Sequence, residues 1–143
     1  MKKLIVLAAF GFLTSSAALF AQDLKEKDVP ASVKAALLKK YPDAKKVSWE
    51  KEKGNFEANW GGKSGEDNSA MFTPAGAFLE LVQAIPVSQL PSSVAVYVKQ
   101  HYKGMVISEA GKVTDASGKH MLEAKIKGKD LIFDEKGVFI KED

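Results

Sequence analysis

The side chains that could carry catalysis are few, and their spacing does not suit it. The chain has two histidines, His101 and His120, and no cysteine. No His-x-x-x-His or His-Glu pair is present, so the spacing that sets two zinc ligands on one helix face is missing. No serine lies in a Gly-x-Ser-x-Gly turn, and the Gly-Lys-Ser of residues 62–64 lacks the upstream glycine of a phosphate loop. We therefore predict no catalytic residue and no cofactor.

Two acidic turns could offer oxygen ligands to a cation. They lie at residues 65–69 and 115–118, and neither has the alternating ligand spacing of a calcium loop. Ordinary turn chemistry is the better interpretation, with a weak structural ion in either loop as the alternative. Paired carboxylates need an apolar cleft to shift a pKa, and the pattern puts every acidic residue on a polar face, in a turn or at a terminus. We predict no metal site and no enzyme.

Composition excludes further classes of function. All 21 basic residues are lysine, and they are balanced by 18 acidic residues. The arginine guanidinium group commonly makes bidentate hydrogen bonds to phosphate and guanine. The absence of arginine therefore argues against nucleic acid as a partner. Since there is no cysteine, core packing alone must stabilise the fold.

Residues 1–21 have the three parts of an export signal. Lys2 and Lys3 come first, an apolar run follows at residues 4–13, and a stretch of small residues ends at Ala21. The run is shorter than the roughly 20 residues that span a bilayer. We predict cleavage after Ala21, or alternatively after Ala18. The product is a periplasmic or secreted protein that is not an integral membrane protein.

The remaining chain contains an internal repeat. The VPASV of residues 29–33 matches the LPSSV of residues 90–94, 61 residues later. The AMF of residues 70–72 matches the LIF of residues 131–133 at the same offset, and each is followed by a Gly-x-Phe hairpin. Two units are too few for a solenoid, so we expect them to share one core.

Each unit is predicted to begin with an amphipathic helix. A proline lies near each first turn, where its missing N–H is tolerated. Apolar residues recur every four positions, which is typical of a helix with one buried face. These residues are Val33, Leu37 and Tyr41, with Leu38 beside them, in the first unit, and Val94, Val98 and Tyr102 in the second.

Strands follow each helix. Apolar and polar residues alternate at 56–60 and 122–127, and glycine turns predict hairpins at about 70–82 and 130–141. The predicted fold class is α+β, with both helices packed on one face of a shared antiparallel sheet. Residues 22–143 form one domain of two repeats, at about 24–87 and 88–143.

The tryptophans are the better candidates for recognition. Trp60 aligns with Ile126, which predicts a core position. When the segment that ends in Trp49 is aligned with the segment that ends in Glu109, Glu109 occupies the position equivalent to Trp49. A position that accepts glutamate is not expected in deep core, and exposed tryptophan is frequent in binding hot spots. We predict Trp49 as a binding residue; the alternative is that the other copy covers it.

The order of helix, strand and two hairpins, FTPAGAFLE and FDEKGVFIK, resembles the PepSY-like family, which is described as β-lactamase-inhibitor-like. The resemblance covers the chain from about Leu24 to its end. It implies an exported, mostly bacterial envelope protein with a helix-on-sheet fold. The inhibition in the family name is an analogy of fold, and fold does not fix function. The resemblance supplies no functional residue.

These observations predict an exported, non-catalytic binding module of the cell envelope, inhibitor-like by resemblance, that recognises a protein or peptide through its sheet. The alternative is a periplasmic sensor or carrier of a small molecule or ion, with a groove between the two copies. A hydrolase of cell-wall material is the third and weakest hypothesis.

Overall fold

The computed structural model describes residues 21–143. The predicted export signal lies outside the described residues, except for its last residue, Ala21. Two α-helices and nine strands form within this part of the chain. The helices are α1 (Ala31–Lys40) and α2 (Ser92–His101). The strands are β1 (Gln22–Leu24), β2 (Ser48–Glu52), β3 (Asn55–Trp60), β4 (Asn68–Phe72), β5 (Phe78–Ile85), β6 (Glu109–Asp115), β7 (His120–Ile126), β8 (Lys129–Phe133) and β9 (Phe139–Glu142).

The nine strands form one antiparallel sheet in which each strand pairs with the next along the chain. The halves of the chain meet at β5 and β6, whose pairing runs from Glu80 opposite Asp115 to Ile85 opposite Ala110. The sheet is therefore continuous from β1 to β9, and it curls so that one face becomes a groove.

The order of elements in the first half recurs in the second. A 3₁₀ turn at Glu26–Asp28 precedes α1, and a 3₁₀ turn at Val87–Gln89 precedes α2. Both turns and both helices are separated by 61 residues along the chain, the offset that the sequence matches predicted. Four strands follow each helix.

The helices bury the residues that the four-residue spacing selects. Val33 and Leu37 of α1 are buried, as are Val94 and Val98 of α2. Leu38 was expected beside the first stripe, but it is 59% exposed. It is one position beyond Leu37, a rotation of about 100° around the helix, so it faces solvent. Neither helix is long and apolar enough to cross a bilayer.

Two clusters of buried residues form the interior. The first is Val29, Val33, Leu37, Trp49, Phe56, Ala58, Trp60, Ala70 and Phe72. The second is Val94, Val98, Leu122, Ala124, Ile126, Leu131 and Phe133. Each joins one helix to the strands that follow it.

The register places the strand residues of both clusters on one face of the sheet, because directly paired residues point the same way. On β5, Leu81 pairs with Ala70 of the first cluster. Ile85 is on the same face as Leu81 and pairs with Ala110, which pairs with Ala124 of the second cluster. We call this side the apolar face, and the side formed by the alternating residues the polar face.

Hydrogen bonds hold the first turn of each helix against a hairpin. Ser32 Oγ of α1 donates to the Pro74 carbonyl at 2.9 Å, and Ser93 Oγ of α2 donates to the Gly137 carbonyl at 3.0 Å. The contact is close enough to require glycine. A Cβ on Gly76, whose φ is +84°, would lie 2.6 Å from the Ser32 carbonyl oxygen. The hairpin turns therefore fix where the helices sit on the sheet.

Candidate functional site

The structure does not show the exposed tryptophan that the sequence predicted. Trp49 is only 5% exposed and belongs to the first cluster. The strands β2 and β6 begin at Ser48 and Glu109, so the residue that corresponds to Trp49 is Ala110, which is 7% exposed. The expected exposure of Trp49 was wrong because the alignment slipped by one residue, and such a slip moves a strand residue to the other face. Trp49 is covered by residues of its own half of the chain rather than by the other half, and Trp60 is buried as predicted.

The histidines lie apart from one another. His101 stacks on Tyr97 near the end of α2, with ring centroids 4.2 Å apart. His120 begins β7, and its Nδ1 is 3.1 Å from Thr114 Oγ1. Both are exposed. Within residues 21–143, no three His, Asp or Glu side chains are grouped so that they could hold a metal ion.

The polar face of the curled sheet forms a groove of about 920 Å³. Its lining is strongly acidic, with ten of the chain's 18 carboxylates but only two of its 21 lysines. The charged lining residues are Glu50, Glu52, Glu57, Glu66, Asp67, Glu80, Glu109, Glu123, Asp130 and Asp143, with Lys53 and Lys125. The chain as a whole is slightly basic, so the groove and the remaining surface have opposite charge.

Carboxylates face each other directly across neighbouring strands of this face. Glu50 of β2 is opposite both Asp23 of β1 and Glu57 of β3. Glu80 of β5 is opposite Asp115 of β6. Like charges in directly opposed positions destabilise a sheet, so packing alone does not account for this arrangement.

Burial disfavours the charged form of several of these groups. Burial raises the pKa of Glu57, Glu80 and Asp130. The largest effect is at Glu123, where burial, and then the charge of Asp130, raise the pKa to about 7. Burial alone would lower the pKa of Lys125, but the carboxylates of Asp130, Glu109 and Glu123 more than compensate and raise it.

Only some of the polar side chains that line the groove have hydrogen-bond or ion-pair partners among the described residues. Glu57 accepts a hydrogen bond from Ser69, and Lys125 Nζ is 3.5 Å from Glu109. Asp130 Oδ1 is buried, and no donor among the described residues reaches it. Asn59 lines the groove and is only 7% exposed. Among residues 21–143, no hydrogen bond joins its side-chain amide to another protein group.

Apolar residues form part of the groove's floor. Met71, Val82 and Ile132 lie on the polar face between the carboxylates. Gly111 packs closely against this floor, since a Cβ there would lie 2.5 Å from Val82 Cγ1. Convergent polar groups over an apolar floor are typical of binding pockets.

Sequence reasoning missed this site, although it contained one usable signal. The predicted repeat aligns Phe56-Glu57-Ala58 with Leu122-Glu123-Ala124, and the register places Glu57 and Glu123 on the polar face. From the sequence alone, these glutamates were expected to lie on a solvent-exposed face of their strands. The structure places them in one groove with Asp130, whose charge acts on Glu123.

The sheet, the two helices and the recessed acidic groove define an α+β protein built on one curled antiparallel sheet. The family whose sequence profile matches residues 55–141 is described as "Putative beta-lactamase-inhibitor-like, PepSY-like", and the chain belongs to this family. No curated protein matches the sequence.

Two solved structures with the same fold come from Bacteroides species. One, from Bacteroides eggerthii, is described as "putative periplasmic"; it is 20% identical, has a TM-score of 0.61, and the match covers 80% of this chain and 88% of that one. Another is a BLIP-like protein from Bacteroides fragilis, 20% identical with a TM-score of 0.55, where the match covers 80% and 85% of the two chains. At such identities the likeness concerns the fold.

Proposed function

We propose that this chain is an exported, non-catalytic binding module of the cell envelope, and that its groove holds a protein or peptide partner. The observation that carries the proposal is the groove itself. It is a recessed surface across a continuous sheet. Among residues 21–143, neither Asp130 Oδ1 nor the side-chain amide of Asn59 has a hydrogen-bond partner. Buried polar groups are normally hydrogen-bonded, so a bound partner would complete the site.

The two halves, about 24–87 and 88–143, are in this proposal copies of one unit. Their equal offset of 61 residues supports this, as does the equal burial of Phe72 and Phe133. Both helices would then cover the apolar face and leave the polar face open. An antiparallel sheet commonly has one face packed and the other available.

Export supports the location of the partner in the envelope. The leader at residues 1–21 has the parts of a cleavable signal, and the Bacteroides eggerthii protein of the same fold is described as "putative periplasmic". Mass spectrometry of the protein from an envelope fraction should find a chain that begins at Gln22, or at Leu19 for the alternative site. A chain that retains Met1 in that fraction would contradict export.

A sensor or carrier of a small molecule is the second candidate. The apolar floor beside convergent carboxylates favours it. A small ligand would leave most of the groove unfilled, whereas a peptide or a loop could follow it across the strands.

A blocked groove tests the proposal. Ala84 lines the groove, while its neighbour Gln83 is exposed on the other face of the same strand. Ala84→Trp should abolish capture of a partner from an envelope extract, and Gln83→Trp should leave it unchanged. Equal capture by both variants would show that the groove is not the binding surface.

A further inference from the structure

We propose that the ligand segment which fills the groove is cationic: a lysine- or arginine-bearing stretch of the partner protein. This inference rests on the proposed function and specifies the chemistry of the same site. It follows from three features of the groove, namely its charge, its unpartnered polar groups and its apolar floor.

The charge of the groove is large and local. Ten carboxylates and two lysines line it, while the rest of the chain has an excess of lysine. A recessed, low-dielectric surface of one sign concentrates the electric field and attracts ligands of opposite charge. Because salt screens charges beyond about 8 Å at physiological ionic strength, the attraction acts on a segment at the groove and hardly on the distant surface of the partner.

The lysines of the groove do not neutralise this charge. Lys125 is already paired with Glu109 at 3.5 Å. The opposed pair of Glu50 with Glu57, both in the groove lining, consists of carboxylates alone. A cation from a ligand would remove repulsion that the fold itself leaves in place.

Two polar groups point independently to a ligand. Asn59 as a residue is more than nine-tenths buried and lines the groove, and no hydrogen bond joins its side-chain amide to another of the described residues. Asp130 Oδ1 is buried at the other side of the groove without a donor from the described chain. A guanidinium or ammonium group donates to a carboxylate, and an amide such as Asn59 can bind the backbone of an extended segment.

The floor favours a peptide segment over a free polyamine. Met71, Val82 and Ile132 lie between the carboxylates, and the methylene stems of lysine and arginine pack on such surfaces while their charged ends reach polar groups. Seven of the ten carboxylates come from β2, β3, β5, β6, β7 and β8, and the other three from the loop before β4 and the residue after β9. One cation cannot reach all of them, whereas several along one segment can.

The test uses the protein without its leader and three probes in fluorescence anisotropy. The probes are a 12-residue peptide that alternates lysine with leucine and valine, its glutamate counterpart, and labelled spermine. The lysine peptide should bind, with an affinity that falls steeply as salt is raised, and the glutamate peptide should not. The double variant Glu57→Gln with Glu80→Gln should weaken binding by about tenfold or more. Glu135→Gln, at the exposed turn between β8 and β9, should not change it.

Each contrary result overturns the inference in a different way. Equal binding of the two peptides, or an unchanged affinity in the double variant, would show that the carboxylates do not select a cation. Spermine that binds as tightly as the peptide would assign the groove to a small amine. The glutamine variants remove repulsion and should fold, which circular dichroism checks. If Ala84→Trp still blocks capture of a partner while the lysine peptide fails to bind, the groove is a binding surface and only the cationic inference is wrong.

Discussion

Replacing Glu123 by glutamine tests whether an ionised carboxylate in the acidic groove lowers the free energy of unfolding. Glu123 lies on the polar face of β7, opposite Gly111 and Ile132. Burial, and then the charge of Asp130, raise its pKa from the ordinary 4.5 to about 7, and Lys125 offsets only part of this. Glutamine has nearly the same shape and no charge, so the variant isolates the effect of ionisation.

The sign and magnitude follow from proton linkage. Because the folded protein binds this proton more tightly than the unfolded chain does, the contribution of Glu123 to stability is most favourable below about pH 4.5, where both states are protonated. It falls as the pH rises from about 4.5 to 7, and it is constant above that range. The difference between the two pKa values corresponds to roughly 3 kcal/mol, at about 1.36 kcal/mol for each pKa unit. Glu123→Gln should match the parent protein at pH 4 and exceed its free energy of unfolding by up to this amount at pH 8.

Urea unfolding at intervals between pH 4 and pH 8 measures this difference. Other groove carboxylates also contribute to the pH dependence of the parent protein, and subtraction of the two curves removes most of their effect. Glu135→Gln, in an exposed turn, is the matched control and should follow the parent at every pH. A Glu123→Gln curve that runs parallel to the parent curve across the whole range would refute the reasoning, since Glu123 would then ionise alike in both states.

Three further predictions concern the fold. Trp49→Ala should depress the melting temperature about as far as Trp60→Ala, since each removes a buried tryptophan worth roughly 3–5 kcal/mol; a Trp49→Ala melt close to that of the parent would restore the exposed position. Gly76→Ala should cost about 2–4 kcal/mol, from its positive φ and its clash with α1. Gly54→Ala, which has a similar φ and nothing within 4 Å of the new Cβ, should cost only about 1–2 kcal/mol in the same denaturation assay. A fragment of residues 22–86 should not unfold cooperatively, because it leaves β5 without β6; circular dichroism melts that show a sharp transition near the parent's would contradict the shared sheet.

The sequence predicted the helices and hairpins because their signals are local. Val33 and Leu37 recur at helical spacing and are both buried. Gly76 marks a turn with φ of +84°, which a glycine adopts readily. The strands β1 and β6 were not predicted. β1 has only three residues, and β6 contains Gly111 where a side chain would normally mark the alternation.

The error at Trp49 shows why a repeat alone does not determine burial. Strand side chains alternate with a period of two, so a register is either right or inverted. The loop before β2 and the loop before β6 differ in sequence, and apolar residues at Val47 and Ile107 suggested an offset of 60. The strands themselves begin 61 residues apart, which makes Ala110 the counterpart of Trp49. The pairing of β2 with β3 and of β6 with β7 fixes this register, and that information is not local.

The groove could not be predicted from the sequence for a related reason. Alternation correctly places Glu57 and Glu123 on the polar side of their strands, but it does not reveal whether that side is flat or recessed. The recess arises from the curl of nine paired strands. It buries Glu123, on which the charges of Glu80 and Glu57 also act. Long-range geometry of this kind turns a solvated strand face into a site.

The same carboxylates couple stability, pH and binding. Glu123 of β7 is surrounded by Asp130 of β8, Glu80 of β5 and Glu57 of β3, with Lys125 as the cation acting on it. A cationic segment in the groove would favour the ionised form of Glu123, so binding should release its proton and lower its pKa from about 7. The affinity for the lysine peptide should therefore increase as the pH rises from 5 to 8, and the increase should be smaller in Glu123→Gln. Anisotropy titrations at fixed ionic strength measure both. A ligand that changes the pKa of a group must bind with an affinity that depends on the ionisation of that group. An affinity independent of pH in the parent protein would therefore mean that the peptide does not reach Glu123.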